Sequence, residues 1–173
     1  EQIKPMLDEE LSLAAVNAPS LCIVSGPAPS VDRFEKDLNA KGHESIRINF
    51  PRASHSKLMA PILKEFEEGV SRVKLNKPKI PYISGMTGNW ISYRQAVDPA
   101  YWASQMVGTV RFLEGVNKLL KKPNVAFIQV GSDKGLPLFV GQHPGIKAEN
   151  VIINAVKHPK DKISDRQYIL GQL

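Results

Sequence analysis

Apolar positions along the chain fall into short runs separated by turn residues. LSLAAV (11–16) and LCIVSG (21–26) are strand-length, and Asn17-Ala18-Pro19-Ser20 between them is rich in turn formers, which predicts two strands. Gly26-Pro27 closes the second. Ser30 then stands where a helix cap is expected. Val31, Phe34 and Leu38 share one face of the helix, and Gly42 stops it. Ile46 and Ile48 alternate with Arg47 and Asn49, predicting a third strand over 44–50. Strand–strand–helix–strand is most of a ferredoxin-like unit. Residues 11–50 are therefore expected to place strands 11–16, 21–26 and 44–50 in one antiparallel sheet, with helix 30–41 on one face.

The pattern then changes. Leu58, Ile62, Phe66 and Val70 are spaced by four, predicting a helix over 56–73 with Pro61 near its first turn, where proline is tolerated. Ile80, Tyr82 and Ile83 suggest a strand, followed by a loop bearing Gly85 and Gly88. Helices are expected from 99 to about 106 and from about 110 to 120. VAFIQVG (125–131) is a continuous apolar run, the mark of a strand buried on both faces. Residues 136–142 read as a helix and 149–156 as a strand. The tail DRQYILGQL has helical spacing. The chain thus reads as opening inside a small subdomain and closing inside a helix.

Composition narrows the class. A hydrophobic fraction of 42% with 23% charged residues is that of a globular chain, which argues against disorder. The single cysteine, Cys22, cannot form an internal disulfide and fits a core position in a cytoplasmic protein. No apolar run approaches the roughly 20 residues of a membrane span, and EQIKPMLDEE lacks the apolar stretch of a signal peptide. A net charge of +6 suits an anionic partner such as nucleic acid, a CoA phosphate or an acidic carrier domain. The lysines, however, are scattered (Lys121, Lys122, Lys157, Lys160, Lys162) and read mostly as solvated charge. An RNA-binding ferredoxin-like module would need aromatic-rich strands, and LCIVSG and ESIRINF offer only Phe50 between them.

His55, in PRASHSKLMAP (51–61), is the strongest candidate for chemistry. Between a predicted strand and a predicted helix it can be a helix-terminal residue with a satisfied ring. It can equally be a general base, which needs a nucleophile in reach and a group that fixes its tautomer. Local sequence leaves both readings open. His43 and His158 sit beside turn residues and are expected at the surface; His143, before Pro144, reads as structural. The 173 residues contain no G-x-S-x-G elbow, H-E-x-x-H, C-x-x-C, P-loop or G-x-G-x-x-G.

Several segments together resemble the acyltransferase domain of modular polyketide synthases, and more distantly the malonyl-CoA:acyl-carrier-protein transacylases. LSLAAVNAPSLCIVSGP (11–27) looks like the strand pair of that family's small subdomain. RASHSKLMAPIL (52–63) looks like the segment with its catalytic histidine, x-A-x-H-S-x-x-M-x-P-x-L. PYISGMTGNWI, DPAYWASQMVGTVRFLEGV and FIQVGSDKGL fall in order where the family has P-x-x-S-N-x-T-G, D-P-x-Y-W…V-R-F and E-V-G-P-G stretches, and SDRQYILGQL resembles the start of the following linker.

The resemblance implies an α/β (α+β) fold. Part of a ferredoxin-like small subdomain would occupy 1–50, the C-terminal part of an α/β-hydrolase-like large subdomain 51–156, and the start of the linker 157–173. It implies transfer of a malonyl- or methylmalonyl-type unit from acyl-CoA to the phosphopantetheine thiol of an acyl carrier protein. His55 would be the catalytic histidine, with the Gln105 main-chain carbonyl on its Nδ1–H, and Arg52 and Ser54 would bind substrate. The nucleophilic serine, the oxyanion hole and the carboxylate-binding arginine belong to the family's N-terminal half, absent from this chain. That missing half, the carrier protein and an adjacent ketosynthase are the implied partners, in the cytoplasm. No metal, no tightly bound cofactor, no nucleic acid and no membrane is implied. Apolar surface around 125–131 is expected to lack part of its cover. Three departures stand out: Gly85 for asparagine, Gln129-Val130-Gly131-Ser132-Asp133 for E-V-G-P-G, and Arg52 where histidine or tyrosine is usual. They motivate a second reading, a degenerate acyltransferase kept as a docking scaffold.

Overall fold

Pro19 and Ser20 turn the chain back on itself, so β1 (Ser12–Ala18) pairs antiparallel with β2 (Leu21–Ser25). The computed structural model describes residues 2–48, 50–131, 135–157 and 160–172. Leu11 and the small side chains Ala14, Ala15 and Ala18 are buried along β1. Small residues let a second segment come close. Val16 N donates to Val110 O and Val110 N to Ala14 O, both at 2.8 Å, so Val110 runs beside β1 opposite β2.

Helix α1 (Ala28–Ala40) begins two residues before the expected cap. Pro27 is its N-cap, and prolines suit a first turn because its N–H groups have no partner there. Ser30 is instead inside the helix and buried, its hydroxyl bonded to the Glu10 carboxylate, with Arg33 Nη2 3.0 Å from the same oxygen. The third strand is absent. Among the described residues 44–48 and 50 no strand is present, and Ile46, Ile48 and Phe50 are 90%, 60% and 64% exposed; Asn49 lies outside the described residues. Alternation makes a strand only where a neighbouring edge accepts its hydrogen bonds, and β1 and β2 form a sheet of two.

The helix expected over 56–73 is split. Lys57–Ile62 is a 3₁₀ segment and α2 is Leu63–Ser71. Pro61 has no N–H for the α ladder, which accounts for the break. The strand at 80–83 reduces to one bridge between Ile83 and Trp90. Helix α3 (Tyr93–Ala96) was not expected, although Ser92 and Gln95 form a complete capping box at its start. Asp98 caps α4 (Pro99–Ser104), accepting from Ala100 N at 3.0 Å, and α5 is Phe112–Leu119.

The second sheet is parallel: β3 (Ala126–Gln129) pairs with β4 (Val151–Asn154), and α6 (Gly135–Gly141) crosses between them and packs on both. β3 is not buried on both faces as expected. Ile128 is 59% and Val130 86% exposed, so apolar surface here lacks part of its cover among the described residues, as the resemblance implied. Helix α7 (Asp165–Leu170), with a Ser164–Gln167 capping box, returns to β4, where the Gln172 amide pairs with the Asn154 main chain at 3.1 and 2.9 Å. The mixed α/β class holds, spread over two small sheets. No described helix is long and apolar enough to cross a membrane.

His143 is structural, as expected. It is buried, and Gly145 N donates to its Nδ1 at 2.9 Å, so Nε2 carries the hydrogen and donates to Asn117 Oδ1 at 2.8 Å. Burial lowers its pKa from the ordinary 6.5. The unfolded chain then takes up this proton first as pH falls. Stability is expected to decline as pH drops below 6.5 and to level off once the folded ring also protonates. Urea titrations at several pH values check this. His143→Gln should flatten that part of the curve, and an unchanged slope would contradict it. His43 is exposed; His158 lies outside the described residues.

Candidate active site

Ser56 fixes the loop that carries the histidine. It is fully buried, its Oγ donates to Ala53 O at 2.6 Å, and it accepts from Leu58 N at 3.3 Å as the cap of the 3₁₀ segment. Between these bonds the chain must turn sharply, and His55 takes it with φ 58°, a left-handed conformation that costs a non-glycine residue about 1–2 kcal/mol. The turn is held from across the fold by His55 N, which donates to Met106 O at 2.9 Å.

The ring is held by the same segment. His55 Nδ1 stands 2.9 Å from Gln105 O and 3.0 Å from Gly108 O. Both partners are carbonyls and can only accept, so Nδ1 bears the hydrogen and Nε2 keeps its lone pair. The carbonyls lie just past α4, where helix carbonyls have no intrahelical partner and carry partial negative charge.

Helix α4 is placed by the D-P-x-Y-W segment. Asp98 and Pro99 start it, Tyr101 turns inward to a hydrogen bond with the buried Ser84 hydroxyl, and Trp102 Nε1 donates to Ala96 O at 3.1 Å. The outer side of the Trp102 ring then borders a hollow of about 290 Å³, shared with Ser54, His55, Met59, Phe66, Gln105 and Met106. Its lining is largely apolar and comes from the histidine loop, the 3₁₀ segment, Phe66 of α2, Trp102 of α4 and the turn after α4. A larger hollow, about 440 Å³, lies before β3 and β4 beside Lys122, Asn124 and Lys147, and holds none of the candidate residues. Of these two hollows only the smaller is lined by a histidine.

Of the four candidate residues, Ser54, His55 and Gln105 come together here. Arg52 is exposed and does not line the hollow. Met59, Phe66, Trp102 and Met106 were not anticipated as wall residues. Cys22 is half-buried in β2 rather than the core residue expected, and burial raises its thiol pKa. No cluster of metal-ligating side chains occurs among the described residues. A Cβ on Gly85 meets only Val110 Cγ1 at 3.9 Å, so an asparagine side chain has room to start there. Ser132 and Asp133 lie outside the described residues.

Known proteins share this sequence pattern and this fold. The chain is 31% identical over its whole length to a phenolphthiocerol/phthiocerol polyketide synthase of Mycobacterium tuberculosis, of which it spans 12%. It is 31% identical over 145 residues to the conidial yellow pigment biosynthesis polyketide synthase melA of Penicillium expansum, spanning 6% of it. Among solved structures, the acyl transferase domain of SpnD, in complex with 2-(pent-4-yn-1-yl)malonyl, superposes with a TM-score of 0.89 at 32% identity over 99% of this chain and 41% of that one. The acyl transferase domain of ZmaA gives 0.82 at 32% identity, over 99% and 38%. The malonyl CoA-acyl carrier protein transacylase of Clostridium perfringens, at 19% identity and 0.79, shares the fold. The family model described as the acyl transferase domain matches residues 1–136, every residue of the histidine loop and its carbonyl partners included. This chain belongs to the acyl transferase domain family.

Proposed function

We propose that these residues form the histidine-bearing part of a polyketide synthase acyltransferase domain. It moves a malonyl- or methylmalonyl-type unit from CoA to the phosphopantetheine thiol of an acyl carrier protein. The observation that supports it is the His55 ring, with Nδ1–H spent on two carbonyls and Nε2 left as a base at an apolar hollow. The chain spans 41% of the SpnD domain and has no G-x-S-x-G of its own, so the serine is assigned to a segment outside these residues.

In the proposed sequence, His55 Nε2 takes the serine proton as the oxygen attacks the thioester carbonyl. The tetrahedral intermediate collapses, its C–S bond breaks, and the CoA sulfur leaves with the proton from Nε2. The carrier's thiol then repeats the steps in reverse: His55 takes the thiol proton, the sulfur attacks the ester, and the serine oxygen recovers the proton. The imidazolium present in both steps is stabilised by the two carbonyls. No metal or bound cofactor takes part in these steps. The adjoining ketosynthase and the cytoplasm belong to the same proposal.

Arg52 is assigned to the choice of acyl group, by its place three residues before the histidine. Arg52→Ala is expected to change the ratio of rates with malonyl-CoA and methylmalonyl-CoA more than the rate with the better of the two; equal losses with both contradict the assignment. The test of the function itself is mass-spectrometric detection of acyl-enzyme, and of its transfer to carrier protein, in the complete domain. A folded domain with an intact serine that forms no acyl-enzyme from any acyl-CoA would support the docking-scaffold reading instead.

A further inference from the structure

The Gln105 and Gly108 carbonyl oxygens are supported by more than the histidine loop they bond to. They sit in the turn that follows α4, and the outer side of that turn is covered by the loop over 84–88. Met86 makes the contact. A Cβ placed on Gly108 would lie 3.2 Å from Met86 Cγ, 3.4 Å from its Sδ and 3.2 Å from the main-chain Ser104 O, so the thioether takes up one side of the space a side chain at 108 would need. The same Sδ is 3.3 Å from Ser104 Oγ, which donates to Tyr101 O at 2.7 Å. Met86 thus touches both ends of the segment 104–108.

Met86 is itself held firmly. Met86 N and Thr87 N donate to Ser84 Oγ at 3.1 and 3.3 Å, and the Ser84 hydroxyl is bonded to Tyr101 within α4. Arg111 N donates to Gly85 O at 2.6 Å and ties the loop to the start of α5. Loop and turn are therefore tied together, and the same turn carries the carbonyls that hold His55.

We propose that Met86 is a positioning residue for His55: its side chain occupies the space a side chain at position 108 would need and so sets the two carbonyl oxygens that hold the ring. Gly108 is the complementary half, with Met86 and the Ser104 carbonyl both against the place a Cβ would take. This rests on the proposed role of His55, yet it can be read separately from it. A flexible thioether fills such a gap without strain, and a shift of a supporting group by an ångström is enough to slow a reaction about 100-fold.

The experiment uses the complete domain with ¹⁵N-labelled histidine, and variants Met86→Ala, Met86→Leu, Gly108→Ala and Met86→Ala/Gly108→Ala. Two quantities are read: the His55 Nδ1–H proton resonance, assigned by its loss in His55→Ala, and kcat and KM for acyl-enzyme formation. Met86→Ala is expected to move the resonance upfield, speed its exchange with water and lower kcat about 10- to 100-fold with KM changed less than about twofold. Met86→Leu, which refills the space, should restore both. Gly108→Ala should disturb the resonance on its own, and the double variant should disturb it less than Gly108→Ala, because the added methyl enters the space Met86 leaves. That last comparison also serves if Met86→Ala alone fails to fold. An unchanged resonance and kcat in Met86→Ala overturns the proposal, as does a double variant no better than Gly108→Ala. If the resonance responds as expected while His55→Ala retains full activity, the positioning contact stands and the proposed role of His55 falls.

Discussion

Replacing His55 by alanine in the complete domain is expected to slow acyl-enzyme formation by about 10²–10⁴-fold, the usual range for loss of a general base. Stability should change little. The main-chain bond from residue 55 to Met106 O survives, the left-handed turn costs alanine only a little more than histidine, and the ring's shared bond to two carbonyls is lost. Gln105→Ala is the matching control. Its contribution is a carbonyl oxygen, which the substitution keeps, so its rate should stay within a few-fold of the parent. The measurement is single-turnover acylation with malonyl-CoA, followed by intact-protein mass. If His55→Ala acylates itself as fast as the parent, the ring is not the base and the apolar hollow serves another purpose.

Much of this site was legible because its residues are constrained by local chemistry. Asp98-Pro99 announces a helix start whatever surrounds it, and the expected helix over 99–106 differs from α4 by two residues at its end. The pairing of His55 with the Gln105 carbonyl came from a motif resemblance, and the distance of 2.9 Å agrees with it. The Gly108 carbonyl did not, because a main-chain acceptor leaves no trace in residue type. Nor did Met86, a contact between segments with nothing in the spacing to join them. The strand expected over 44–50 fails for a different reason. Alternating Ile46 and Ile48 state a preference for extended backbone, but extended backbone becomes a strand only through an edge supplied from elsewhere. The continuous run at 125–131 suggested burial on both faces while the resemblance implied a gap in its cover, and the exposed Ile128 and Val130 agree with the gap, since cover depends on what packs against each face.

Gly88→Val is expected to be among the most damaging single changes to the fold. Gly88 has φ +62°, and a side chain there costs about 1–2 kcal/mol from backbone strain alone. It is also buried, and a Cβ would fall 2.5 Å from Glu114 Cβ and 3.4 Å from Arg111 Cβ. The Glu114 Cβ is fixed to the backbone of α5 and cannot swing aside, so overpacking adds about 1–3 kcal/mol. A loss of roughly 2–5 kcal/mol is a large share of the 5–15 kcal/mol that holds an ordinary domain together. Gly42→Val separates the two causes. Gly42 has φ +75° with nothing within 4 Å of a built Cβ, so it should show the backbone cost without the clash. Urea midpoints of the two variants in the complete domain give the comparison. Gly88→Val should also reduce acylation in the molecules that remain folded, since the loop that would move contains Ser84 and Met86, the supports of α4 and of the turn that holds His55. Equal midpoints for the two variants would show that α5 yields, and that the loop is not clamped against it.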